Sequence, residues 1–167
     1  MSLFPTDIEA LAQRIVSDFT LRQWMIATAE SCTGGLIAGA LTEIPGSSAV
    51  VDRGFVTYTN EAKRQMIGVT TETLDRHGAV SKEMALEMAL GALDHSRAAL
   101  AVAVTGIAGP GGGSEHKPVG LVHLAAKSRS GTLFHKEMRY GDIGRTQIRL
   151  ATVTTALEML LEISQAE

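Results

Sequence analysis

Ser31, Cys32 and Thr33 stand in a row, preceded by Glu30 and followed by Gly34 and Gly35, in the segment AESCTGGLIAGAL. A hydroxyl or thiol in such a run attacks a carbonyl carbon when a neighbouring base takes its proton. Histidine is the usual base, but none of His77, His95, His116, His123 and His135 falls at a predicted strand end beside this cluster. Lys63 follows another predicted strand end by a few residues and is the better candidate, because burial near other cations lowers a lysine's pKa and frees its lone pair. Tyr58, five residues earlier, could relay a proton or hold the lysine, although a solvated Lys63 and an ordinary strand tyrosine fit the same spacing. Cys32 competes with Ser31, since a helix N-terminus lowers a thiol's pKa. It also fits as a small buried residue, and Thr33 as a helix cap.

The glycines add a second kind of chemistry. Gly34 and Gly35 let backbone N–H groups approach a ligand at a helix start, where an oxyanion or phosphate is held, or they serve close helix–strand packing. The loop TGIAGPGGG, Thr105 to Gly113, matches neither GxGxxG nor the P-loop, since no GK[ST] follows, so a nucleoside triphosphate site gains no support. Gly46, Ser47 and Ser48 form a further polar loop able to meet a ribose or phosphate. Arg139, Arg145 and Arg149 near the last predicted helix could bind a phosphate or carboxylate, and surface ion pairing accounts for any one of them equally well.

These residues need elements to position them. Ile8, Leu11, Ile15, Val16 and Phe19 recur at helical period across Asp7 to Thr20, with Thr6 as a plausible cap. Trp24 to Ala29 reads as a strand, Gly35 to Glu43 as a helix stopped by Pro45-Gly46, and Ala49 to Thr59 as a strand bent or bulged near Gly54. Asn60 to Ile67 and Thr70 to His77 read as short helices, and Ser81 to Leu93 as a longer one with Ser81 as its N-cap. Ala98 to Val104 suits a fully buried central strand. Val119 to Lys127 and Thr132 to Arg139 read as a hairpin, and Arg145 to Ile163 as the final helix. Interleaved strands and helices predict an α/β fold, a three-layer α/β/α sandwich on a mixed, mostly parallel sheet. Ligands collect beyond the carboxyl ends of such strands, which would unite the clusters around Ser31, Tyr58–Lys63 and Thr105–Gly106 in one site.

Composition sets limits. The 167 residues suit one domain, residues 1–167. Fifteen Lys and Arg against 18 Asp and Glu give a formal charge of -3, which leaves no footprint for nucleic acid or an anionic membrane. Cys32 is the only cysteine, so an internal disulfide is excluded and a cysteine zinc site is not expected. The first residues carry no secretory pattern and no apolar run reaches spanning length, so the expected compartment is the cytoplasm. Apolar residues on the Ser81–Leu93 and Arg145–Ile163 helices could serve a homo-oligomer interface as readily as the core.

AESCTGGLIAGALTEIPGSS, GFVTYTNEAKRQMIGV, HGAVS and AVTGIAGPGGGSEHKPVG together resemble the signature segments of the CinA C-terminal domain family, over about Ile8 to Leu160. That family includes stand-alone nicotinamide mononucleotide deamidases. The resemblance implies a five-stranded mixed sheet and hydrolysis of the carboxamide of nicotinamide mononucleotide to nicotinate mononucleotide and ammonia. It implies a serine nucleophile, a lysine base and a nearby tyrosine, which map onto Ser31, Lys63 and Tyr58. Around them, Cys32, Thr33, Gly34 and Gly35 would contribute N–H groups to the oxyanion, while Gly46, Ser48, Thr105, Gly106 and Arg145 would contact the substrate. No metal and no cofactor is required, since the protein supplies the nucleophile. A non-catalytic nucleotide-binding module is the alternative; it accounts for the glycine loops but leaves Ser31, Tyr58 and Lys63 unexplained.

Overall fold

The computed structural model describes residues 1–167. Its elements, in chain order, are α1 (Thr6–Arg22), β1 (Ile26–Glu30), α2 (Leu36–Thr42), a 3-10 turn (Ser47–Ala49), β2 (Val51–Val56), α3 (Asn60–Ile67), α4 (Thr71–His77), α5 (Lys82–Asp94), β3 (Leu100–Gly106), β4 (Leu121–Ser128), β5 (Leu133–Arg139) and α6 (Arg145–Gln165). The sheet order is β2-β1-β3-β4-β5. β2, β1 and β3 are parallel, whereas β4 runs antiparallel to both β3 and β5. Four strands therefore point one way and β4 alone is reversed, the mixed and mostly parallel sheet that the interleaved pattern predicts.

The two faces of the sheet differ in side-chain size. Leu100, Val102 and Val104 of β3 pack with α1, α2 and α6, together with Ile26, Val122 and Leu124. The opposite face presents Ala27, Ala29, Ala101, Ala103 and Ala125, and it meets Met84, Ala85, Met88 and Ala89 of α5. Alanines in that row let α5 lie close to the strands. Gly91 of α5 continues the close approach: a β-carbon there would overlap the Ile67 carbonyl at the end of α3. Tight contact between α5 and α3 matters because α3 carries Lys63.

Three local expectations change. α1 is capped by the Pro5 backbone without a side-chain hydrogen bond, and Thr6 is its first helical residue. The 3-10 turn takes the start of the predicted Ala49–Thr59 strand, so β2 is shorter. The irregularity in β2 lies at Asp52, where the register skips between Val51 and Arg53, and Asp52 Oδ2 accepts the Arg97 N–H at 2.8 Å. Gly54 serves close packing instead: a β-carbon would lie 2.8 Å from Thr28 Oγ1 and 3.1 Å from the Ala38 β-carbon. Ser81 caps α5 as its sequence suggests, accepting the Met84 N–H at 3.1 Å.

Candidate active site

β1, β2 and β3 end side by side, and an open cavity of about 270 Å³ lies beyond those ends. Ser31 and Cys32 reach it from the end of β1, Tyr58, Asn60 and Lys63 from the region after β2, and Thr105 to Gly109 from the end of β3. Ala79 and Val80, before α5, and Arg145, at the start of α6, complete the wall. The three clusters that the sequence separates by tens of residues therefore converge.

Lys63 is the unusual member. It is only 1% exposed despite its charge-bearing side chain. Its position on α3 is set by Thr59, which caps that helix by accepting the Ala62 N–H at 3.0 Å. Lys63 Nζ lies 3.0 Å from the Thr57 carbonyl, 3.3 Å from the Tyr58 carbonyl and 3.2 Å from Ser31 Oγ. Burial pushes its pKa below the ordinary value, because the ammonium loses hydration that no carboxylate replaces. A neutral amine has two N–H bonds and one lone pair. An uncharged Lys63 would donate its two N–H bonds to the two carbonyls and leave the lone pair for the Ser31 hydroxyl, whereas the ammonium donates to all three.

Glu30 governs the turn that presents Ser31, a role that sequence reasoning missed. It is 1% exposed. Its carboxylate accepts the Thr33 hydroxyl at 2.6 Å, the Ile37 N–H at 2.8 Å, the Ala38 N–H at 3.0 Å and the Thr28 hydroxyl at 3.3 Å. Two of these donors are first-turn N–H groups of α2, whose N-cap Gly35 has a φ of 103° and offers no side chain. Glu30 thus does the capping from outside the helix, and a carboxylate at that end is favoured by the helix dipole. The signal in the sequence is a carboxylate at the last position of a buried strand, seven residues before the first amide it caps.

Several predicted residues take other places. Thr33 is fully buried and bonded to Glu30, so it neither caps α2 nor reaches the cavity. Cys32 is packed in the core at 6% exposure, and burial, which withholds solvent from the thiolate, raises its pKa to about 12. The Lys63 amine reaches Ser31 Oγ and makes no hydrogen bond to the Cys32 thiol. Gly46 and Ser48 lie at the other end of the sheet, against α1, next to Val50, whose carbonyl accepts the N–H of Ile26 at the start of β1. The Tyr58 phenol is not a partner of Lys63 or Ser31: it accepts from Arg145 Nη2 at 3.2 Å, and only its backbone carbonyl touches the lysine. The Thr105 hydroxyl donates to the Ala79 carbonyl at 2.6 Å, fixing the Ala79–Val80 wall. Gly34, Gly35 and Gly106 fall beside Ser31 or the cavity, and Arg145 spans the mouth, donating also to the Gly109 carbonyl at 2.7 Å.

Backbone N–H groups complete the chemistry. Ser31 N–H donates to the Val104 carbonyl and Gly34 N–H to the Ser31 carbonyl, but the N–H groups of Cys32, Thr33 and Gly35 have no acceptor in the protein. No group of three or more His, Cys, Asp or Glu side chains is placed to hold a metal ion, and no helix is long and apolar enough to cross a membrane.

Both the sequence and the fold have relatives among known proteins. The chain is 48% identical over 156 residues to the nicotinamide-nucleotide amidohydrolase PncC of Escherichia coli, covering 93% of both chains. It is 44% identical over 158 residues to a putative competence-damage inducible protein of Caldicellulosiruptor bescii, covering 95% of this chain and 38% of that longer one. The crystal structure of the competence/damage inducible protein CihA from Agrobacterium tumefaciens superposes with a TM-score of 0.98 at 74% identity, over 98% of this chain and 99% of that one. The family model described as the CinA C-terminal domain matches residues 8–164, and with nearly the whole length so matched, the chain belongs to the CinA C-terminal domain family.

Proposed function

We propose that this protein is an amidohydrolase that converts nicotinamide mononucleotide to nicotinate mononucleotide and ammonia, with Ser31 as nucleophile and Lys63 as general base. The observation that carries the reading is a buried lysine with no carboxylate partner, 3.2 Å from a serine hydroxyl in the cavity. A non-catalytic binding module has no use for that pair, and keeping a lysine out of water is costly. The name of the Escherichia coli relative supplies the substrate class.

The mechanism follows from the contacts. Neutral Lys63 takes the Ser31 proton directly, with no relay through Tyr58. Ser31 Oγ attacks the carboxamide carbon, and the developing oxyanion meets the free N–H groups of Cys32 and Gly35, where one good donor is worth roughly 3–4 kcal/mol. Protonated Lys63 passes its proton to the departing amine, and ammonia leaves. Water, deprotonated by the same lysine, then cleaves the acyl-enzyme and releases the nicotinate carboxylate. Ala79, Val80 and Ile107 provide an apolar wall for the pyridine ring. Arg145 has further N–H donors beyond its bonds to Gly109 and Tyr58, and they suit the 5′-phosphate at the mouth.

The test is ammonia release from nicotinamide mononucleotide by purified protein. Wild type is expected to release it and a folded Ser31→Ala variant is not; calorimetric binding without turnover would favour the module instead.

A further inference from the structure

The polar groups of the nucleophile turn are not all held in the same way. The Ser31 carbonyl accepts the Gly34 N–H at 3.0 Å, and the Thr33 carbonyl accepts the Leu36 N–H at 3.1 Å. The Cys32 carbonyl has no backbone partner. Its one hydrogen bond comes from Arg149 Nε at 3.0 Å, while Arg149 Nη2 reaches the Thr33 carbonyl at 3.2 Å. Arg149 lies on α6, one turn beyond Arg145, but outside the cavity wall, behind the turn.

The arrangement has an electrostatic consequence. A peptide unit is a planar dipole, and a carbonyl oxygen turned toward a developing oxyanion repels it as strongly as an N–H group attracts it. With Arg149 in place, the carbonyls of Ser31, Cys32 and Thr33 are all occupied. The planar unit that carries the Cys32 carbonyl carries the Thr33 N–H on its opposite side, so holding that carbonyl aims this N–H; with those of Cys32 and Gly35 it is unoccupied.

We propose that Arg149 is a positioning residue for the reaction: its guanidinium holds the otherwise unpartnered Cys32 carbonyl, with that of Thr33, away from the reacting oxygen. The planar fork suits two neighbouring carbonyls on one turn. Arg149 does not touch substrate in this scheme, unlike Arg145. The inference rests on Ser31 as nucleophile but not on the identity of the substrate.

The experiment pairs turnover with a substrate-independent probe. Arg149→Met and Arg149→Lys are compared with wild type for kcat and KM on nicotinamide mononucleotide, for the rate of Ser31 labelling by a fluorophosphonate, and for thermal stability. Losing alignment of the turn should lower kcat by about 10- to 100-fold in Arg149→Met and leave KM within about threefold. Labelling should slow in parallel, because the phosphonyl oxygen needs the same N–H groups. Arg149→Lys, with one ammonium for two carbonyls, should recover part of the loss. An Arg145→Met variant should instead raise KM. An Arg149 variant that folds and keeps both kcat and the labelling rate overturns the proposal, as does a raised KM at unchanged kcat, which would put Arg149 on the substrate. Should Arg149→Met fail to fold, Arg149→Lys carries the same two outcomes. Wild type that labels in an Arg149-dependent way yet releases no ammonia overturns the substrate reading alone. Wild type that neither labels nor releases ammonia overturns both.

Discussion

Lys63 Nζ sits 3.2 Å from Ser31 Oγ, and its other two partners are the backbone carbonyls of Thr57 and Tyr58. No anion stabilises an ammonium there. The site therefore stores its reactivity as a cost to the fold, and the two can be separated by substitution. Lys63→Met keeps the aliphatic bulk and removes the group that needs hydration. It leaves the carbonyls of Thr57, which is fully buried, and of Tyr58 without this donor, a loss that opposes the gain. We expect activity to fall by about 10³-fold or more, the contribution of a positioned base to an otherwise weak nucleophile. Stability at neutral pH should stay within about 1 kcal/mol of wild type, measured by urea unfolding, because removal of the buried amine and loss of the Thr57 bond oppose each other. A variant that is both inactive and markedly less stable would show that Lys63 is held charged and paired by its surroundings.

The pH dependence of turnover tests the same pair without mutation. Desolvation lowers the Lys63 pKa from the ordinary lysine value of 10.5. In the proposed mechanism the active form is the neutral amine, so kcat/KM should rise with pH through a single ionisation centred below 10.5. The sign for stability is the same. At pH values between the folded and unfolded lysine pKa the unfolded chain holds one more proton, so the contribution of Lys63 to stability rises with pH up to the unfolded value. A rate profile that falls across the alkaline range would assign the essential lysine a protonated role.

The order of elements was readable because β and α periodicities alternate cleanly, and because AALAVAV in Ala98 to Val104, which a helix could also use, suits a buried strand better when a glycine loop follows directly. Convergence of Ser31, Lys63 and Thr105 followed from strand ends alone. What each side chain does there was less readable. Thr33, Thr105 and Arg149 carry groups that could face a ligand, but each spends them on a neighbour: Glu30, the Ala79 carbonyl, and the carbonyls of Cys32 and Thr33. Sequence spacing shows which groups arrive and not which are already satisfied on arrival. Gly46 and Ser48 illustrate a second limit. They follow the nucleophile by fewer than twenty residues, but α2 runs back across the sheet and delivers them to the opposite end.

Packing far from the chemistry should still reach it. Gly91 of α5 touches the Ile67 carbonyl so closely that a β-carbon has no room, and Ile67 ends the helix that carries Lys63. Gly91→Ala must push α3 and α5 apart, and overpacking of this kind costs about 1–3 kcal/mol. Displacing α3 also moves Lys63 from Ser31, so kcat should fall along with stability, although residue 91 lies in neither the cavity nor its wall. Unfolding midpoints and kcat measured on one preparation check this. A stable, fully active Gly91→Ala would show that the α3–α5 contact tolerates a wider spacing.

A second ionisable cluster should make stability sensitive to acid. His123 on β4 and His135 on β5 share the sheet face that α5 covers; His123 Nδ1 and His135 Nε2 are 3.0 Å apart, with the rings stacked at 5.3 Å. Burial lowers both pKa values from 6.5, and the neighbouring imidazole lowers that of His123 further. Lys82 on α5 adds to the lowering for His135 and Lys117 for His123, whereas Glu137 and Glu83 act in the opposite direction on both. The balance leaves the folded protein binding fewer protons than the unfolded chain at and below pH 6.5, so stability falls as pH falls through that value. A site of this kind contributes up to about 1.4 kcal/mol per pH unit over its window. We expect the melting temperature to drop from about pH 7.5 to about pH 5 in wild type, and the drop to be shallower in a His123→Gln, His135→Gln double variant, whose amides can still bond one another and do not titrate. Equal slopes in the two proteins would remove the histidine pair as the source of the acid sensitivity.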